Sequence, residues 1–199
     1  MVWYIARHGQ TLENKKEIQQ GHYPSLLTIQ GINQAKSIGY RLLDQEEDFS
    51  KFKFVSSPLV RTRHTLQIIM EVLGITNNQE AVDEELLIGT KKGIFENMNK
   101  KDIETLYPEE YQKKLNDSWN YIPLGGGESK ESSYNRLLSF IEKYKNEENL
   151  VIVSHRSLVK MLNGILLKLD KEEIKKLSKD TTKSQNYFYR FKDGKIDKI

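Results

Sequence analysis

The chain has 199 residues, 37% of them hydrophobic, which is enough for one well-buried core and gives no reason to divide it. Lys and Arg total 31 against 28 Asp and Glu, and the Lys-rich stretch from Lys168 to Lys183 is interleaved with Asp and Glu, so the net charge of +3 argues against a basic stripe for nucleic acid. There is no cysteine for a disulfide or thiolate metal site, Met1 to Ile5 lacks the basic flank of a signal peptide, and no apolar run nears the roughly 18 residues of a membrane span; the expectation is a soluble, cytoplasmic protein.

Val2 to Ala6 is a short apolar run ending in Arg7-His8-Gly9, which predicts a buried strand with polar residues at its carboxyl end. Thr28 is placed to cap a helix whose apolar positions Ile32, Ala35, Ile38, Leu42 and Leu43 recur at helical spacing. A strand is predicted over Phe52 to Val55, then a break at Pro58 and a helix from about Val60 to Leu73 with Leu66, Ile69, Met70 and Leu73 inward. Residues 89–127 differ in composition, with Gly, Lys, Asn and the aromatics Tyr107, Tyr111, Trp119 and Tyr121, and predict an excursion over one end of the sheet, its aromatics packing the excursion itself. Gly125 to Gly127 close it and read as a flexible connector, since no Gly-Lys-Ser/Thr follows to make a nucleotide loop.

A helix carrying Tyr134, Leu137, Leu138, Ile141 and Tyr144 follows, then a buried strand Leu150 to Val153, then a helix with Leu158, Met161, Leu162, Ile165, Leu166 and Leu169. Tyr187 to Phe191 and Lys195 to Ile199, separated by Asp193-Gly194, predict a closing hairpin. The alternation of strand and helix predicts a single α/β domain over residues 1–199, a three-layer α/β/α sandwich with a mainly parallel central sheet.

Such sheets place their sites at the carboxyl ends of the strands. His8 follows the first strand and His155 the last buried one, an arginine adjoins each, and Arg61 stands just past the Phe52 to Val55 strand at the start of its helix. A cation near the positive end of a helix dipole is disfavoured unless an anion is present. Guanidinium forks match phosphate oxygens, so the set asks for a phosphoryl group. Nearby arginines would keep His8 neutral, the state in which an imidazole can accept phosphoryl, and His155 would donate hydrogen bonds to the phosphoryl oxygens as charge reorganises. This scheme requires no metal and no cofactor.

Arg7-His8-Gly9-Gln10-Thr11-Leu12-Glu13-Asn14 resembles the signature of the histidine phosphatase superfamily, the phosphoglycerate-mutase-like group. Gln20-Gly21-His22-Tyr23 with Leu27-Thr28 and Gly31, Ser56-Ser57-Pro58-Leu59 with Arg61 and Thr65, Gly127-Glu128-Ser129 with Arg136, and Val153-Ser154-His155 resemble its further blocks, in family order over most of the chain. The resemblance implies that His8 is phosphorylated and that Arg7, Asn14, Arg61 and His155 hold the phosphoryl group, with Gly21 lending its backbone to the rim. His64 and Thr65, one turn beyond Arg61, are expected to pack or to support it, His22 to sit at the rim, and Glu128 to favour the start of the next helix.

The pattern also breaks. The family's usual general acid is a glutamate a few residues before a glycine in a segment resembling Gly-x-Trp-Glu-Gly. The counterpart here, Gly93-Ile94-Phe95-Glu96-Asn97, puts Gly89 at the acid's place. A slipped register brings Glu85 there instead, with Glu84 beside it, and Glu96 is a further candidate. Arg156 replaces the glycine that relatives carry after the second histidine and is expected at the pocket rim, the alternative being a surface ion pair.

The implied activity is hydrolysis of a phosphomonoester or related small phosphorylated substrate, a phosphohistidine protein included, through a phosphohistidine at His8. Mutase-type phosphoryl transfer is a rival, weakened because no arginine occurs between His64 and Asn135. A phosphate-binding relative without turnover is another, favoured by the missing acid and opposed by the retained His8, Arg7, Arg61 and His155.

Overall fold

The computed structural model describes residues 1–75, 81–179 and 187–199; the end of the Lys-rich stretch, 180–183, lies outside the described residues. In chain order the elements are β1 (Val2–Arg7), α1 (Leu12–Lys15), β2 (Ile18–Gln19), α2 (Ile29–Leu43), β3 (Lys53–Ser56), α3 (Val60–Val72), β4 (Val82–Asp83), β5 (Met98–Asn99), α4 (Lys100–Leu106), α5 (Pro108–Asn116), α6 (Lys130–Tyr144), β6 (Asn149–Ser154), α7 (Arg156–Leu166), α8 (Lys171–Lys179), β7 (Phe188–Lys192) and β8 (Lys195–Lys198). Six strands form one sheet in the order β4-β3-β6-β1-β7-β8. The pairs β4/β3, β3/β6 and β6/β1 are parallel, and β7 and β8 add an antiparallel edge.

The period-2 pattern of the strands divides the core. Trp3, Ile5, Leu150 and Ile152 face α6 and α7, where Leu137, Phe140, Leu158 and Leu162 meet them. Tyr4, Ala6, Val151 and Val153 face the opposite way, toward Leu42 of α2 and Leu66 and Ile69 of α3. Fully burying each such side chain contributes roughly 1.5–3 kcal/mol, so both faces resist any slip of register. Two expected inward positions are not inward: Leu43 is 49% exposed and Leu138 41%, because each lies at the edge of its helical stripe. Thr28 caps α2 as its sequence predicts, its hydroxyl accepting from the Gly31 N–H at 3.0 Å.

Parallel register sets the site. Arg7 pairs with Ser154 and Ser56 with Val153, so β1, β6 and β3 end at one edge of the sheet. The His8 N–H then bonds the Ser154 carbonyl at 3.0 Å and the Ser57 N–H the Val153 carbonyl at 3.1 Å, carrying the ladder one residue further and fixing where these two chain segments leave the sheet.

The excursion contributes β5, α4 and α5. Its β5 pairs with β2 in a separate two-stranded ribbon, and Phe95 and Ile103 give it a small buried centre, with Phe95 against Tyr107 and Tyr121. The three glycines are a hydrogen-bonded turn rather than an open connector: the Leu124 carbonyl accepts from Ile94, and Glu128 donates to the Lys91 carbonyl. Glu128 does not cap α6. Ser129 does, and Glu128 instead forms a two-pronged ion pair with Arg136.

Candidate active site

His8 stands just beyond β1, 6% exposed. Its Nδ1 lies 2.7 Å from the Gly9 carbonyl, which can only accept, so Nδ1 carries the proton and Nε2 keeps its lone pair. Burial pushes the His8 imidazole well below the usual histidine range, and the Arg7 and Arg61 guanidiniums push it further. The ring is neutral and its free nitrogen nucleophilic. Gly9 is held in turn, its N–H donating to Thr65 Oγ1 at 3.1 Å while that hydroxyl donates to the Arg61 carbonyl at 2.7 Å, which ties the His8 loop to α3.

His155 comes from the end of β6, its ring centroid 5.3 Å from that of His8. Burial again lowers its proton affinity most, followed by Arg61, His8, Arg7 and His22. Its Nε2 is 2.9 Å from Ser57 Oγ, so the residue after β3 orients the ring of the residue after β6. His155 and Leu59 occupy the residues before α7 and α3, and neither supplies a capping side chain. Two helix amino ends without a side-chain cap therefore start at these loops, and the positive end of a helix dipole favours an anion.

The guanidiniums complete this setting. Arg7 donates to Asn14 Oδ1 at 3.3 Å, and Asn14 is itself fixed by a reciprocal capping box with Thr11. Arg61, 3% exposed, donates to the Gly21 carbonyl at 2.7 Å and the Tyr23 carbonyl at 3.2 Å. The Nε of each arginine is buried without a hydrogen-bond partner among the described residues. Burial draws Arg7 down to about 10, with the Arg156 charge adding to the pull; burial draws Arg61 down to about 10 as well, although Glu13 and Glu96 oppose it. Both stay charged at neutral pH, and burial makes each cation costly unless an anion pairs with it. Arg156 is exposed at the first position of α7, close enough to Arg7 for their charges to repel.

His8, Arg7, Arg61, His155, Asn14 and Gly21 are thus brought together at one sheet edge. Glu84 and Glu85 are not. Glu84 is buried, its carboxylate accepting from the Leu86 N–H at 3.0 Å, Lys143 Nζ at 2.5 Å and the Tyr144 hydroxyl at 3.0 Å. Glu85 is exposed at the start of a short 3-10 turn and bonds to none of the pocket side chains, because its neighbour Leu87 takes the inward position. Gly89 does lie at the pocket: a Cβ built there would stand 3.2 Å from the His155 ring. The peptide leading to it is clamped by Arg136, which donates to the Leu86 and Ile88 carbonyls at 2.8 and 2.9 Å. Glu96 is engaged by backbone, its Oε1 accepting from the His22 N–H at 3.1 Å and the Lys92 N–H at 3.0 Å. Gly21 has φ +51°, and a Cβ there would strike Glu96 Oε1 at 2.1 Å, so only glycine fits.

Sequence reasoning gave no role to Ser57 or Glu13. Ser57 carries the same signal as His8 and His155, a polar residue directly after a buried strand. Glu13 has a buried Oε2 without a hydrogen-bond partner among the described residues and is the carboxylate that most raises Arg61, a placement that no local pattern announces. His64, expected to pack or support, is exposed.

The chain belongs to the histidine phosphatase superfamily (branch 1), which it matches over residues 3–197. Among particular relatives, it is 27% identical over 169 residues to the adenosylcobalamin/alpha-ribazole phosphatase of Salmonella typhimurium, covering 84% of this chain and 80% of that one. It is 29% identical over 179 residues to the 2,3-bisphosphoglycerate-dependent phosphoglycerate mutase of Rhizobium meliloti, covering 87% and 83%. The crystal structure of the alpha-ribazole phosphatase from Shigella flexneri superposes with a TM-score of 0.81 at 25% identity, over 100% of this chain and 95% of that one.

Proposed function

We propose that this chain is a phosphatase that transfers the phosphoryl group of a small phosphorylated substrate to His8 and then to water. The observation that carries the reading is the state of His8: Nδ1–H anchored on the Gly9 carbonyl, Nε2 bare, and the ring kept neutral by burial and by two flanking guanidiniums. In the first step the Nε2 lone pair bonds to phosphorus as the bond from phosphorus to the leaving oxygen breaks. In the second, water attacks phosphorus, the P–Nε2 bond breaks and its electrons return to the ring. Arg7, Arg61 and His155 hold the equatorial oxygens, with Asn14 setting the Arg7 guanidinium and Ser57 the His155 ring.

Residues 89–127 form, on this reading, the leaving-group side of a single domain, joined to the β2 loop through Glu96 and through the Asn97 N–H on the Gln19 carbonyl at 2.7 Å. The substrate class is a phosphomonoester; a phosphohistidine protein is the alternative that needs no proton donor. A cytoplasmic location suits a chain without cysteine. No helix among the described residues is long and apolar enough to cross a membrane.

One observation favours mutase-type transfer as a second reading. Lys92 is drawn down to about 8 by burial and by the charges of Lys114, Lys130 and Arg156, while the nearby Glu128 is already paired with Arg136. The positive charge gathered around Lys92 would attract a second anionic group. A substrate with a second acidic group would engage it, and only a mutase would return phosphoryl to that same substrate.

The test is incubation with an aryl phosphate. Turnover insensitive to chelators, with an acid-labile phosphoprotein that disappears in His8→Ala, is expected; no turnover and no phosphoprotein would sink the hydrolase reading. Formation of an isomeric phosphate from a substrate with a second acidic group would establish the mutase.

A further inference from the structure

A phosphatase acting on alkyl phosphates must protonate the leaving oxygen, and at residue 89 this chain has no side chain to do so. The gap is not an open space awaiting a carboxylate. A Cβ at Gly89 would press on the His155 Cγ, Cδ2 and Cε1 atoms at 3.2–3.3 Å, so the peptide itself lies against the imidazole. What occupies the neighbourhood is another histidine. His22 Nε2 lies 2.6 Å from the Gly89 carbonyl, one hydrogen bond from the position where relatives place their acid.

We propose that His22 is the proton donor to the leaving group, standing in for the carboxylate at residue 89. The inference rests on the phosphatase reading above. The Gly89 carbonyl can only accept, so Nε2 donates and Nδ1 is the atom that gives and takes a proton. No hydrogen bond engages Nδ1 among the described residues. The imidazole is half-buried and lies near the His155 ring. Its backbone is held from both sides: Glu96 Oε1 accepts the His22 N–H at 3.1 Å, and the preceding Gly21 carbonyl accepts Arg61 at 2.7 Å. Glu96 is thereby a positioning residue, its inner oxygen spent on two backbone N–H groups.

The proton balance closes. As His8 Nε2 bonds phosphorus and the P–O bond breaks, the leaving oxygen takes the proton from His22 Nδ1 and departs as an alcohol. Neutral His22 then takes a proton from the water that attacks phosphorus, the P–Nε2 bond breaks, and both histidines return to their starting states.

The experiment compares release of inorganic phosphate from an aryl phosphate and an alkyl phosphate by wild type, His22→Gln and Glu13→Gln. Gln at 22 can still donate to the Gly89 carbonyl but cannot give up a proton. Expected for His22→Gln is a fall of about 10²–10⁴-fold with the alkyl phosphate and no more than severalfold with the aryl phosphate, whose leaving group needs little protonation. Equal losses on both substrates, no selective loss, a selective loss in Glu13→Gln instead, or a wild type that cleaves only the aryl phosphate would each overturn the proposal while leaving the hydrolase reading standing. Absence of aryl turnover in the wild type would overturn both.

Discussion

His8 is suited to attack phosphorus because it is poorly placed to hold a second proton. Burial is the larger cause and the charges of Arg7 and Arg61 the next, and the same influences act on His155 with their order led by burial and then Arg61. The sign follows from linkage: both imidazoles have folded values depressed below the unfolded one, so below about pH 6.5 the unfolded chain binds protons that the native pocket refuses, and stability falls with falling pH. Replacing His155 with Gln should therefore flatten the stability profile by about 1.4 kcal/mol per pH unit below pH 6. Denaturant titrations of both proteins at pH 7 and pH 5 measure it; parallel profiles would contradict the neutral pocket. Gly89 gives the converse test at the same scale. Because a Cβ at residue 89 would stand 3.2 Å from the His155 ring and displace it by a few tenths of an ångström, Gly89→Glu should lower aryl phosphate turnover at least tenfold instead of supplying the missing acid. A gain in alkyl phosphate turnover would show that the ring can move aside.

Elements, more than single residues, decide where the site stands. The strands β1, β3 and β6 end in register because Arg7, Ser154 and Ser56 occupy the last positions of three buried, period-2 runs. That much is legible in the sequence, since His8, His155 and Arg61 each follow a short buried run directly or within a few residues. The two-residue strands β2 and β5 are not, since two residues carry no periodicity. The helical stripes were overdrawn at Leu43 and Leu138, where a 3.6-residue period places a residue at the rim of the buried face. Partners across long sequence distances were also invisible: Ser57 with His155, Arg136 with the Leu86 and Ile88 carbonyls, and Glu84 with Lys143 and Tyr144.

The last of these joins the segment after β4 to α6. Burial pushes the Glu84 carboxyl up, but the hydrogen bonds from Lys143, the Leu86 N–H and Tyr144 outweigh it and the net shift is downward. A depressed carboxylate contributes stability above its unfolded value, and that contribution is lost as pH falls through the folded value. Glu84→Gln should cost about 1–3 kcal/mol at pH 7, by weakening a buried charged acceptor with three donors, and the cost should shrink below pH 4. Chemical denaturation at the two pH values measures this; a cost that does not vary with pH would assign the effect to packing alone.

At the scale of the molecule, the proposed division of labour is between a sheet edge that would bind the phosphoryl group and an excursion that would set what may leave. The first part follows the family pattern residue by residue. The second departs from it: Gly89 stands where the family resemblance leads one to expect an acid, and Lys114 and Lys130 come near enough to Lys92 for their charges to repel it. Function was correspondingly legible to the level of the histidine phosphatase family, whereas the residues proposed to face the leaving group are brought together only by tertiary contact between the β2 loop and the excursion. His22 exemplifies this, since it is separated by 67 residues from the carbonyl it bonds.

The central claim is that phosphoryl passes through the Nε2 atom of His8. The most direct measurement is rapid quenching of the protein with an aryl phosphate, followed by mapping of the phosphorylated peptide under alkaline conditions. The account predicts one acid-labile phosphate, on His8, formed and discharged at rates that match turnover and absent from His8→Asn. A phosphate on any other residue, or undiminished turnover in His8→Asn, would contradict it.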